Sequence, residues 1–428
     1  MVIKDVRLRR EKDATVLSAR CKIRKIGWDT VYFSLDAAKY YSVAQDASPF
    51  AAALLLPSMK QGEDLIIKGS ISKQLYAGMH AIMDEVLQWD IGLQPIVIQP
   101  DSLRADRQKP SKTASFFSGG VDSFYTYLKH KNDTVKANRV DSLVLVNGFD
   151  IDPRNQALWQ LTLGNVKAIA KTEKVELVVV NSNIHALIEP ILPWDYSHGG
   201  CMAAVGLFLR KEFRQFYIPS THSVAEQIPW GSNMALDAHW STESISFIHD
   251  GSEATRLHKV ISQVSQSPVA LKHLRVCYVN AEGAYNCGRC DKCLRTMVNL
   301  YIAGTLEQAD TFPHTIDTAL VADTPTITGP DGGIFHGENL AALQERDLNP
   351  ALQQAITASL DKTAAMQATL IASLKGKIAT TVISKIIYLD YAYTYGYLYA
   401  VSSSILGKWF DDYLVGTTDC RPFSLSAK

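Results

Sequence analysis

The chain carries no charge imbalance: 43 Lys and Arg stand against 43 Asp and Glu, a formal net charge of zero at pH 7. A broad nucleic-acid-binding surface needs a basic excess, so the composition excludes one and leaves room only for a local patch. Long hydrophobic runs are missing too. The uncharged stretch between Asp390 and Lys408 is rich in Tyr, Ser, Thr and Gly, with Tyr391, Tyr393, Tyr395, Tyr397 and Tyr399 alternating, and is short for a bilayer span. It reads as a buried helix or interface element, without membrane contact. Met1 to Arg10 is charged throughout and lacks the apolar segment of a secretory signal. There is no internal repeat and no low-complexity tract. A disulfide framework is also absent, because four of the seven cysteines crowd into one short window and Cys21, Cys201 and Cys420 are scattered. That usage fits a reducing compartment, and a cytoplasmic location is expected. No Gly-x-Ser-x-Gly elbow occurs, so a hydrolase drawn from Ser220, His222 and Asp237 is discounted.

What is present begins with Ser118-Gly119-Gly120-Val121-Asp122-Ser123, between the apolar run Ala114–Phe117 and a helix-like stretch from Phe124 to Lys129. A strand that ends in two glycines and opens a helix is a phosphate cradle. The glycines permit a tight turn and leave the backbone N–H groups bare, and the helix N-terminus favours an anion. Ser118 and Ser123 can donate hydroxyl hydrogen bonds. Asp122 would be repelled by phosphate unless Mg2+ lies between them. A Walker-type loop is excluded, since it needs Gly-x-x-x-x-Gly-Lys-Ser/Thr.

The cysteine window is the second signal. Cys287, Cys290 and Cys293 form Cys-x-x-Cys-x-x-Cys, and Cys277 precedes them. Four thiolates so spaced suit a tetrahedral Zn2+ with knuckle-like turns at Gly288 and Asp291. They leave no open position for water, which makes a structural site the expectation. An iron–sulfur cluster accepts the same ligands.

At 428 residues the chain is long for one domain. Residues 1–111 read as an α+β accessory domain, with strands at Thr15–Ile23, Asp29–Leu35 and Gln94–Gln99 and helices at Ser48–Met59 and Ile71–Trp89. Residues 112–308 alternate strands and helices, the pattern of a doubly wound parallel sheet. The strands are Ala114–Ser118, Ser142–Val146, Val175–Val180, Phe216–Pro219, Ser244–His249 and Arg275–Tyr278. The helices are Val121–Lys131, Asn155–Thr172, Cys201–Phe213, Glu253–Ser265 and Asp291–Ala303. Polar clusters follow the strand ends at Ser118–Ser123, Asn147–Asp152, Ser220–Ser223 and His249–Ser252, where such sheets bind ligands. Residues 309–428 read as a polar linker to about Gly337 and then a helical appendage, Leu352–Leu374 and Ile378–Phe410, suited to a lid or dimer contact.

The glycine loop resembles the signature of the PP-loop ATP pyrophosphatases. Together with the four cysteines and Arg295 after the last of them, it resembles the 7-cyano-7-deazaguanine synthases of the queuosine pathway, over Lys112 to Gly304. Larger relatives of that family occur in bacterial anti-phage defence and surface-glycan gene clusters, and the long flanks here point to such a branch. The resemblance implies an adenine-nucleotide α-hydrolase-like fold with a zinc-knuckle insertion, and ATP, Mg2+ and Zn2+ as cofactors. It implies an ATP-dependent ligase or synthase that adenylates a carboxylate, 7-carboxy-7-deazaguanine or a similar base, and passes the acyl group to ammonia or to an amine of a protein or sugar partner. A homodimer or a complex with neighbouring-gene products is left open. The alternative is a PP-loop amidotransferase or thiolation enzyme acting on a sugar or tRNA, which would need a reactive cysteine, Cys201 being the candidate.

By motif match, Ser118, Gly119, Gly120, Asp122 and Ser123 bind the nucleotide. Asn147 and Gly148 stand where the family reads adenine, although Asn-Gly is also a common turn. The family places a Ser-Lys pair after the fifth strand, and here Glu253 follows Ser252. Arg256 or Lys259, further along that helix, could supply the missing charge, or could lie on a solvated face. Trp194 and Trp230 could stack a heterocycle, and His198 and His222 are candidate proton carriers, unless these loops are merely ordered.

Overall fold

The computed structural model describes residues 1–24, 26–36, 41–226, 228–326 and 333–375. The expected helix at 378–410, its tyrosines and Cys420 lie outside the described residues. The fold is α/β, built on one mostly parallel ten-stranded sheet ordered β10-β9-β6-β7-β8-β3-β2-β1-β4-β5.

The parallel half comprises β6 (Lys112–Phe116), β7 (Ser142–Asn147), β8 (Glu176–Ser182), β9 (Phe213–Pro219) and β10 (Ser246–Asp250). Their apolar runs are buried, as expected of strands covered on both faces. Arg275–Tyr278, expected as a further strand, is not one. Its donors go elsewhere: Arg275 N–H to the Gly119 carbonyl (2.8 Å), and Val276 and Cys277 N–H to Asn286 Oδ1 (2.9 and 3.1 Å).

The first strands, β1 (Val2–Arg10), β2 (Ala14–Ile23) and β3 (Gly27–Asp36), form an antiparallel meander, and β4 (Leu65–Ser72) and β5 (Ile98–Arg104) add parallel to β1. The sequence reading missed β1 and β4. This half does not form a sheet of its own. β3 pairs antiparallel with β8 through Phe33–Ser182 and Leu35–Val180, and Asn183 bonds the backbone of Thr30 and Tyr32. One hydrophobic cluster runs from Met1 to Phe247, across residue 111.

Helices cover the sheet on two sides. α1 (Ser48–Gln61), α2 (Lys73–Val86), α5 (Ile184–Ile188) and α6 (Trp194–Leu209) share the first cluster; α3 (Val121–His130), α4 (Gln156–Glu173), α7 (Arg256–Ser262), α8 (Pro268–His273) and α9 (Asp291–Ile302) share a second. A third, smaller cluster joins α7 and α9 to α10 (Thr318–Asp323), α11 (Ile334–Glu345) and α12 (Pro350–Lys375). Part of the expected linker is therefore helical.

Candidate functional site

β6 has β7 on one side and β9 on the other, so the chain reverses its direction of travel across the sheet there. The crevice beyond the carboxyl ends of β6 and β9 is the place where open α/β sheets take ligands. The Ser118–Ser123 loop leaves β6 at that point. Gly119 has φ +81°, which favours glycine, and Gly120 is the N-cap of α3. Ser123 Oγ donates to the Gly120 carbonyl (3.0 Å).

The two cations proposed from the sequence both reach the loop. Arg256 Nη1 and Lys259 Nζ meet Asp122 at 3.1 and 3.2 Å. Lys259 is wholly buried and also donates to the Ser220 carbonyl (2.5 Å), so it bridges the segments leaving β6 and β9. They are not on a solvated helix face. Burial by itself would raise the Asp122 pKa, but Arg256 and Lys259 outweigh it and hold the carboxyl below its ordinary value. Burial pulls Arg256 down, with Arg295 adding repulsion against the pull of Asp122. Burial also lowers Lys292, followed by repulsion from Arg295 and Arg256. Cations crowded together against burial make a site that favours a polyanion.

Sequence reading missed Arg275. Its side chain is buried, its backbone N–H holds the Gly119 carbonyl, and its Nε and Nη2 have no hydrogen-bond partner. Buried guanidinium donors normally find acceptors, so two without one beside a phosphate-type loop mark a place for an oxyanion. The signal in sequence was only an arginine shortly before the first cysteine. Phe335 was missed as well. It lies buried between Arg295 (4.3 Å from the ring centre) and Arg256 (5.5 Å), stacked on His222 (5.7 Å). Glu338, on the same helix, accepts the Leu257 N–H at the start of α7.

At the end of β7, Asn147 Nδ2 donates to Asn181 Oδ1 (3.0 Å), while its own Oδ1 is buried without a partner. Gly148 has φ +92°, and a side chain there would strike the Ser182 carbonyl at 2.1 Å. The residue pair is thus a tight turn that also presents a free acceptor. Phe149, Trp194, His198, Trp230 and His222 form a chain of ring contacts 4.9 to 6.0 Å apart from there to Phe335. Burial lowers the His198 pKa, which makes it a neutral hydrogen-bonding group at pH 7. Ser220, His222 and Asp237 do not assemble into a triad: Ser220 Oγ bonds the His222 carbonyl, and Asp237 bonds Ser232 and His249. Glu253 turns away to Lys129 and Tyr125. Cys201 is fully buried in α6, and burial pushes its thiol up, the opposite of a reactive sulfur.

Cys277, Cys287, Cys290 and Cys293 come together, all four Sγ atoms within 4.8 Å of one another. The Cys277–Cys290 and Cys287–Cys293 separations are 3.8 and 3.9 Å. A tetrahedron with metal–sulfur bonds of about 2.3 Å has edges of about 3.8 Å, so the cluster can hold a metal ion such as zinc. N–H groups of Asn280 and Cys290 point at the sulfurs of Cys277 and Cys287 (3.1 and 3.3 Å). Gly288 makes one turn at φ +70°. The other turn, expected at Asp291, is formed by Cys277–Asn280 instead, because Asp291 opens α9 and bonds His336 (2.8 Å) and Arg295 (3.4 Å). Among the described residues, no helix is long and apolar enough to cross a membrane.

Comparison with known protein families, with characterised proteins and with solved structures returned no match. The functional reading therefore rests on the site itself and on the motif resemblance.

Proposed function

We propose that the chain is an ATP-dependent ligase or synthase of the PP-loop type, forming AMP and pyrophosphate while it adenylates a carboxylate. The observation that carries this reading is the meeting of Arg256 and Lys259 on Asp122, beside a Ser-Gly-Gly-x-Asp-Ser loop at the strand-order reversal. The bare N–H groups of the loop and the start of α3 would take the phosphates, with Ser118 donating a hydroxyl bond and Ser123 doing so once its hydroxyl rotates off the Gly120 carbonyl. The free Asn147 Oδ1 would accept from the adenine amino group. Asp122 fits Mg2+ once the phosphates draw Arg256 and Lys259 toward themselves, and the ion would screen phosphate charge.

A carboxylate oxygen of the substrate attacks the α-phosphorus, and the bond from that phosphorus to the bridging oxygen breaks. Pyrophosphate leaves with the electron pair, its charge met by Arg256, Lys259 and Arg275. A nitrogen nucleophile then attacks the acyl carbon and AMP departs. Lys292 and Arg295 would hold the substrate carboxylate, and the rings of Trp194 and Trp230 suit a flat heterocycle, which supports 7-carboxy-7-deazaguanine or a similar base as the substrate class. Ammonia or an amine of a protein or sugar partner would be the acceptor.

The test is pyrophosphate release from ATP and Mg2+ with 7-carboxy-7-deazaguanine, with and without ammonium, and with Asp122→Ala as control. Release that needs the base and is lost in the variant is the expected result. No release with any carboxylate tried, from a folded protein that binds no ATP, would overturn the reading.

A further inference from the structure

The meander β1–β2–β3 presents two unlike faces. Ile3, Leu17, Ala19, Cys21, Val31 and Phe33 turn inward and pack in the core with α1. The opposite face follows from the register: Lys4 pairs with Arg20, Lys22 with Trp28, and Ser18 with both Arg7 and Tyr32. On that face the three strands place Lys4, Arg7, Arg9, Arg20 and Lys22, whereas Arg10 pairs with Thr15 in the inward register of Leu17; the acids of the strands are Asp5, Asp29 and Asp36. Of those acids, Asp29 shares the inward register of Val31 and accepts the Thr30 N–H, and Asp36 sits at the far end opposite Ala14. In a chain with no net charge this is a local concentration of cations.

Trp28 completes the patch. The residue is 40% exposed, with Lys4 Nζ 4.3 Å and the Arg20 guanidinium 5.3 Å from the centre of its ring. An aromatic ring lying among cations on an open sheet offers what a single nucleic-acid strand requires, a stacking surface for a base and positive charge for its phosphates.

The patch lies toward the same edge of the sheet as the crevice. Phe33 pairs with Ser182, the last residue of β8, so the part of β3 before Phe33 runs on past the carboxyl end of β8. At about 3.3 Å per residue, Trp28 lies roughly 17 Å beyond it, on the edge of the sheet from which the glycine loop and Asn147 also emerge.

We propose that this face binds single-stranded nucleic acid, a function beyond the ligase reading and independent of it. The probe is a fluorescein-labelled uridine 12-mer, with a thymidine 12-mer as companion, titrated with the full chain by anisotropy. Four phosphate contacts would give a slope of about −2.8 in log affinity against log salt, a loss of about 50-fold between 50 and 200 mM. Arg20→Glu with Lys22→Glu should abolish binding at 200 mM salt. Trp28→Ala should weaken it by about tenfold while leaving heparin binding unchanged, because only bases stack. These side chains are exposed, so a thermal melt coinciding with that of the wild type checks the fold. The proposal is overturned by no binding of either oligomer at 50 mM salt. It is equally overturned by binding that the double variant retains, or by a face that prefers phosphatidylserine vesicles or heparin and ignores the loss of Trp28.

Discussion

Replacing Asp122 with Asn removes one anion and leaves Arg256 and Lys259 facing each other without it. At contact distances of 3.1 and 3.2 Å, each cation gains roughly 5 kcal/mol of gross attraction at an effective dielectric constant of about 20. Desolvation offsets much of that, and breaking a buried pair costs about 3–5 kcal/mol. An unfolding entropy of about 2.1 cal/mol/K per residue amounts to roughly 0.9 kcal/mol/K over the chain, so Asp122→Asn should melt about 3–6 °C lower. The same substitution should make pyrophosphate, without Mg2+, a better stabiliser of the variant than of the wild type, because the repelling carboxylate is gone while both cations stay. Scanning calorimetry with and without pyrophosphate reads both effects. The sign with pH follows from the depressed Asp122 pKa. The wild-type advantage is fully present above the unfolded carboxyl value of about 3.9 and is lost as pH falls through the lower folded value. A melting change below 1 °C, or equal stabilisation of both proteins by pyrophosphate, would refute the argument that the two cations are held ready for an oxyanion.

Arg275→Met should leave the melting temperature unchanged or higher, since it removes donors that have no acceptor, yet raise the KM for ATP about tenfold or more in the pyrophosphate-release assay. Metal analysis should find zinc bound through the four cysteines. Cys290→Ser should lose it and should also slow pyrophosphate release, because Arg275, which ties down Gly119, lies two residues before Cys277. Gly119→Ala forces a side chain into φ +81° and should cost about 1–2 kcal/mol with loss of ATP binding. Gly164→Ala, in α4 with open space around it, should stabilise by about 0.5–1 kcal/mol, and urea denaturation of both glycine variants reads the two changes.

The parallel half was legible because β7 and β8 carry continuous apolar runs and because helices such as α4 begin with a recognisable cap, Asn155, whose side chain accepts the Leu158 N–H. The glycine loop and the four cysteines were legible because their chemistry lies in contiguous spacing. Other features were hidden for identifiable reasons. α6 begins at Trp194 rather than Cys201, because Gly199 and Gly200 act inside the helix as contact points. A side chain at Gly199 would meet the Gly231 carbonyl at 1.8 Å, and one at Gly200 the Ala52 carbonyl of α1 at 2.8 Å. β1 was obscured by the charges of its outer face, and β4 by the polar run Lys68-Gly69-Ser70 in its middle. Phe335 joins the site from a segment whose local composition reads as linker, and only tertiary packing reveals it. Arg256 and Lys259 were legible only as cations on the helix that follows Ser252-Glu253, where the family pattern has a lysine. Their bonds to Asp122 depend on the packing of α7 against α3, which the sequence does not display.

The seam between β3 and β8 also constrains the order of assembly during synthesis. Tyr32 and Ser182, joined by a hydrogen bond, are separated by 150 residues of chain. The meander leaves the ribosome before β8 does, and the outer edge of β3 then waits for β8 with its ladder groups open. At about 5–20 residues per second that wait lasts roughly 10–30 s. An unpaired edge exposed for that long invites wrong partners. The cations along the neighbouring strands would then serve the nascent chain as well as the finished protein, by repelling a second copy of the same meander.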